Sequence, residues 1–178
     1  MVSQVAVLFA RKRSVYHGLP GCDVWTAERD ARRYVGSHPV IAHPPCRAWG
    51  RLKGQAKPRS DERELAFFAV EQVRRCGGVL EHPAFSSLWG AAGLAVPGTR
   101  DLSGGWTLPI LQSWFGHRAP KATWLYLVGV EPPDLPVIPF SLGTALGRVE
   151  MMGQAERERT PFELATWLLA VVRRVGRV

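Results

Sequence analysis

The chain lacks most of the features that mark membrane, secreted and metal-bound proteins. No apolar run approaches the ~18–20 residues needed to cross a bilayer. The apolar stretch Val5-Ala6-Val7-Leu8-Phe9-Ala10 precedes its basic residues, the reverse of a secretory signal, so a cytoplasmic location is expected. Cysteine is scarce. Three in 178 residues, an odd number without close pairing, argue against a disulfide framework and agree with a reducing compartment. Metal-ligand spacing is missing as well: His43, Cys46, His82 and His117 form no CxxC or HxxxH pattern, and Trp49 stands where a zinc deaminase has its second cysteine. No metal is expected. Acidic residues are few, 15 against 23 basic ones for a formal charge of +8, and none occurs between Asp30 and Asp61.

What is present is a basic surface on a chain long enough for one domain with a real core. Basic residues cluster at Arg11-Lys12-Arg13, Arg29 to Arg33, Arg47 to Arg59, Arg74-Arg75 and Arg173 to Arg177. Counterion release draws such a surface to polyanions, which makes nucleic acid the natural partner. Arginine retained for solubility alone is the plainer alternative.

Hydrophobic patterning places strands at 5–10, 23–27, 40–42, 79–80, 108–114 and 123–130. Residues 61–76 read as a helix, capped by Ser60, with acidic residues at its start, Arg74-Arg75 at its end, and Leu65, Phe68, Ala69, Gln72 and Val73 on one face. A strand entered from that helix implies a parallel pair. Residues 84–105 read as loop, 132–139 as an extended connection, and Thr160-Pro161 opens a closing helix through Val172.

Two motifs end apolar strands: Ala42-His43-Pro44-Pro45-Cys46 and Val79-Leu80-Glu81-His82-Pro83. A thiol and a carboxylate at the carboxyl edge of a sheet stand where α/β enzymes bind ligands. Arg47 and Arg51 beside Cys46 are expected to favour its thiolate. A buried structural cysteine and a loop-capping glutamate are the duller readings of the same residues. Seven tryptophans are present; Trp49 and Trp89 fall in loops and can stack a base, while Trp106, Trp114, Trp124 and Trp167 read as core.

With these motifs placed, the chain resembles the DNA cytosine-5 methyltransferases, in particular their short phage-type relatives. Ala42-His43-Pro44-Pro45-Cys46 is similar to the loop with the catalytic thiol, and Leu80-Glu81-His82-Pro83 to the Glu-Asn-Val/Pro segment, with His82 in place of Asn. Gln112-Ser113-Trp114-Phe115-Gly116-His117 with Lys121-Ala122-Thr123, and Arg159-Thr160-Pro161 with Leu164-Ala165, follow in the family's order. The resemblance implies a single-domain α/β fold, a Rossmann-like, mostly parallel sheet flanked by helices (a reduced class I methyltransferase-like domain).

It also implies roles. Cys46 adds to C6 of cytosine in DNA or a nucleotide, and Glu81, as a neutral acid, assists at N3. His43, Pro45, Arg47, Trp49, Arg51, His82, Gln112, His117 and Lys121 bind substrate. Phe9, Ala10, Glu28 and Pro44 bind S-adenosylmethionine. Two departures stand out: the loop after the first strand has no glycine before Gly18, and the stretch from Gly129 to Arg157 leaves no room for a target-recognition region, so a protein partner would have to supply specificity. The alternatives are the same nucleophile with a different one-carbon or alkyl donor, and a non-catalytic nucleic-acid-binding protein on a degenerate methyltransferase scaffold.

Overall fold

The apolar runs become strands, and their order brings both motifs to one edge. In the computed structural model, which describes residues 3–51, 53–140 and 147–176, the strands are β1 (Val5–Ala10), β2 (Cys22–Thr26), β3 (Val40–Ala42), β4 (Gly78–Pro83), β5 (Trp106–Leu111) and β6 (Ala122–Val128). They form one sheet in the order β2-β1-β3-β4-β6-β5. β1 runs parallel to β2 and β3, and β3 parallel to β4, whereas β6 is antiparallel to both β4 and β5. The sheet is therefore mixed, which corrects the mostly parallel expectation. The reason lies in the connection between β5 and β6. It is only a 3-10 turn, Gln112–Phe115, and a short link that turns at Gly116 (φ 83), too short for the crossover a parallel pair requires.

Helices cover both faces. The 15-residue α1 (Glu62–Cys76) connects β3 to β4 and packs with Ala6, Leu8, Val40, Ala42, Leu80 and Tyr126. The alternate residues Val5, Val7, Ile41, Val79, Leu125 and Leu127 pack against α4 (Phe162–Val172) on the other side. Burial on both faces explains why β1, β3 and β4 read as continuous apolar runs rather than alternating ones. Between α1 and β4 the chain passes so close to β3 that a Cβ on Gly78 (φ +130) would lie 2.0 Å from the Val40 carbonyl oxygen.

Local differences from the expected elements have local causes. Asp61, not Ser60, precedes α1, and its side chain makes no capping bond; Arg59 and Arg32 pair with it instead. The strand expected over 108–114 starts at Trp106 and stops at Leu111, where the chain turns toward β6. The loop over 84–105 holds one helical turn, α2 (Leu88–Ala91), and another turn, α3 (Gln154–Arg157), precedes α4. Arg177 of the basic tail lies outside the described residues. Among the described residues no helix is long and apolar enough to cross a membrane.

The chain leaves β1 for β2 on one side, then returns to β3 on the other. That reversal makes the carboxyl ends of β1 and β3 a topological switch point, the usual ligand position in such sheets.

Candidate active site

The carboxyl ends of β3 and β4 carry the site. Because strand residues alternate between faces, His43 follows Ile41 onto the α4 face, and Glu81 follows Val79 onto the same face. The two side chains meet: His43 Nδ1 lies 2.9 Å from Glu81 Oε2. Both are nearly enclosed, 12% and 11% exposed. The other carboxylate oxygen accepts a 2.8 Å bond from Gln112 Nε2, which also reaches Thr123 Oγ1 at 3.0 Å. The other imidazole nitrogen meets the Tyr16 hydroxyl at 3.1 Å. Tyr16 sits in the 3-10 turn Val15–Gly18 after β1 and is 1% exposed, so its hydroxyl needs a buried partner and finds His43.

Electrostatics decide the protonation of this cluster. Burial alone would raise the Glu81 carboxyl, but the Lys121 ammonium, the His43 hydrogen bond and the His43 and His82 rings outweigh it and hold it down to about 2. Glu81 is therefore a carboxylate in the free protein, not the neutral acid expected. Cys46 differs in the opposite sense. Burial, then the Glu81 charge, pushes its thiol above the ordinary cysteine range, and Lys121 pulls it partly back. The expected activation by neighbouring arginines falls short, since both guanidinium groups are paired with carboxylates and the net shift of the Cys46 thiol is upward. Arg47 pairs with the fully buried Glu62, and Arg51 lies 3.0 Å from Glu150. The cation that acts on both Cys46 and Glu81 is Lys121, just before β6.

Several expected substrate contacts lie elsewhere. Trp49 is 3% exposed, packed edge-on to Phe67 at 5.3 Å, and cannot stack a ligand. Trp89 is equally buried and donates to Ala95 and Thr107. His82 points to the opposite sheet face from Glu81, 6.2 Å from Trp89 and 1% exposed. Burial, with Lys121 adding, pushes it down to about 4, so it is neutral; the Pro45 carbonyl approaches the ring without the geometry of a hydrogen bond. His117 closes a tight turn, its Nδ1 2.8 Å from the Ala119 carbonyl oxygen. Pro44 is buried and Pro45 half-buried, which fixes the turn that carries Cys46; the Cys46 carbonyl accepts bonds from Trp49 and Gly50 at 3.0 and 2.8 Å.

The residues expected to hold S-adenosylmethionine do not fit that role. Phe9, with φ 61, packs its ring edge-on against Phe68, and Ala10 is a core residue. Glu28 is exposed and paired with Lys12 at 2.7 Å. In place of a glycine turn after β1, Arg11 bonds the Ala155 carbonyl at 3.1 Å and pairs with Glu158 at 3.5 Å. No group of three or more His, Cys, Asp or Glu gathers as metal ligands among the described residues.

Tyr16 and Thr123 are the two members of the cluster that sequence reasoning missed as site residues. Tyr16 has no motif signal; Thr123 ends the Lys121-Ala122-Thr123 segment but carries no expected role, and the fold brings both to His43 and Gln112. Comparison with family models, curated proteins and solved structures finds no match.

Proposed function

We propose that the chain is a cytosine C5-modifying enzyme, resembling the cytosine-5 methyltransferases, with Cys46 as nucleophile and Glu81 as proton carrier. The observation that carries this reading is the placement of Cys46 just after β3 and Glu81 near the carboxyl end of the adjacent parallel β4, both within the field of the Lys121 ammonium.

The protonation states suggest how the pair works. The Cys46 S–H bond breaks as its proton passes to the Glu81 carboxylate, directly or through a water. Sulfur bonds to C6, the C5–C6 electron pair moves to C4–C5, and the C4–N3 pair goes to N3. There it takes the proton from Glu81, so no net charge develops. His43 and Gln112 hold both carboxylate oxygens and keep Glu81 aimed during the transfer. C5 is now an enamine carbon able to attack an electrophilic one-carbon or alkyl donor. The donor's leaving group departs as C5 attacks, a water takes the C5 proton, the released pair forms C5=C6 and expels the Cys46 sulfur, and the N3 proton returns through Glu81 to the thiolate. The donor is left open, because the β1 loop gives S-adenosylmethionine no cradle. The acceptor is cytosine in a nucleic acid or nucleotide, in keeping with the +8 charge, and a protein partner supplies any sequence specificity.

The ionised Glu81 and protonated Cys46 also favour a second reading, a nucleic-acid-binding protein whose site no longer reacts. Mass spectrometry with an oligodeoxynucleotide carrying 2-pyrimidinone, an electron-poor ring that accepts a thiol at C6, separates the two. The enzyme reading expects a covalent adduct that Cys46→Ser abolishes. Binding without adduct would support the second reading.

A further inference from the structure

Phe85 is the aromatic that folding does not explain. Its φ of 59° is a left-handed conformation and an outlier for a bulky side chain, yet the residue is 82% exposed, so little of it is buried to offset the strain. One side of the ring is backed by Trp124, with centroids 4.9 Å apart. The turn that carries it is held from both ends. The Ala84 N–H donates to the Ala122 carbonyl at 3.1 Å, and the Ser86 N–H to the Pro83 carbonyl at 3.3 Å.

This turn is tied to the candidate nucleophile through one residue. The Trp49 carbonyl accepts from the Ser87 N–H, Ser87 Oγ and Ser86 Oγ at 3.1, 3.1 and 3.3 Å, while the Trp49 N–H donates to the Cys46 carbonyl at 3.0 Å. Phe85 therefore stands in a fixed relation to Cys46. Lys53 Nζ donates to Ser87 Oγ at 3.2 Å, which holds a cation on the same turn, two residues after Phe85. An exposed ring and an ammonium held on one turn are the combination that binds an unpaired base and its phosphate.

We propose that Phe85, backed by Trp124 and flanked by Lys53, stacks on an unpaired nucleobase neighbouring the cytosine presented to Cys46. The acceptor is then a polynucleotide strand rather than a free nucleotide. This rests on the proposed chemistry at Cys46 and adds the class of its substrate.

The test is fluorescence anisotropy with a labelled single-stranded deoxyoligonucleotide, alongside competition by deoxycytidine monophosphate. Phe85→Ala is expected to weaken oligonucleotide binding about tenfold, and Phe85→Trp to bind like the unaltered protein. Monophosphate binding is expected to stay the same in both. Phe85→Gly, which relieves the backbone, is expected to melt no lower than the unaltered protein while showing the same binding loss. Equal oligonucleotide affinity in Phe85→Ala overturns the proposal, as does an absence of oligonucleotide binding or an equal loss toward the monophosphate. The 2-pyrimidinone adduct reports Cys46 separately. An adduct with no effect of Phe85 overturns the stacking alone, whereas Phe85-dependent binding with no adduct overturns the chemistry and keeps the stacking.

Discussion

His43 Nδ1 and Glu81 Oε2 lie 2.9 Å apart and join the ends of two neighbouring parallel strands into one buried acid–base pair. The pair is enclosed by Tyr16 on the imidazole side and Gln112 on the carboxylate side. Enclosure makes each hydrogen bond count more than it would in water, because an unpaired buried group keeps its desolvation cost.

Removing the outermost member tests whether this chain positions Glu81. Tyr16→Phe deletes one buried hydrogen bond and is expected to slow adduct formation at Cys46 about tenfold, the kinetic equivalent of ~1.4 kcal/mol. Oligonucleotide affinity, read in the same samples, is expected to stay constant. A parallel loss of affinity would mean a general disturbance of the fold instead.

The Cys46 thiol is expected to alkylate slowly at neutral pH. Burial and the Glu81 charge raise its pKa, so thiolate accumulates only above the ordinary cysteine range. Lys121 opposes the shift. Lys121→Ala therefore moves the rate–pH curve further up and slows alkylation at pH 8, as mass spectrometry of iodoacetamide-treated protein can follow. Rapid alkylation of Cys46 at pH 7 would contradict the electrostatic account.

Acid stability follows from two depressed groups. His82 is lowered from 6.5 to about 4, so its contribution is full above about pH 6.5 and is lost as the pH falls toward 4. Glu81, lowered from 4.5 to about 2, acts in the same direction but lower, losing its contribution between about 4.5 and 2. Between pH 6.5 and 4 the loss assigned to His82 is on the order of 3 kcal/mol. Denaturant melts of His82→Asn are expected to show a flatter dependence across that window, with the lower limb retained.

Arg47 is expected to matter for stability more than for substrate. Arg47→Ala leaves the buried Glu62 carboxylate without its main partner. The cost is expected below the ~3–5 kcal/mol of a fully buried pair, because Arg59 remains within 3.8 Å. A lowered melting midpoint with unchanged nucleic-acid affinity is the result that fits. Weakened affinity at an unchanged midpoint would restore the substrate-binding role.

Local pattern told more about the strands than about the partners of side chains. The strands β1 and β3, helix α1 and the two motif ends were legible because continuous apolar runs, Gly77-Gly78 and Pro44-Pro45 act within a few residues. The direction of β6 was not, since nothing in Ala122–Val128 distinguishes a parallel from an antiparallel neighbour. The arginines beside Cys46 misled for a similar reason. Adjacency in sequence does not say where a long side chain points, and Glu62 lies fifteen positions from Arg47. His82 looked like a site residue because it follows Glu81, yet strand alternation sends it to the other face. Trp49 looked exposed in a polar loop, but Phe67 and Arg63 of α1 cover it. Tyr16 entered the cluster only through tertiary contact, and so did the role of Thr123.

The central claim is that Cys46 adds to C6 of cytosine and makes C5 reactive, and this can be measured without knowing the donor. Each reversible addition lets C5 take a proton from solvent before the thiol leaves. Incubation of cytosine-containing single-stranded DNA with the protein in deuterated water, followed by nucleoside mass spectrometry, reads that exchange. Deuterium is expected at cytosine C5, lost in Cys46→Ser and reduced in Glu81→Gln. No exchange above the protein-free rate, by protein that binds the same DNA, would contradict it.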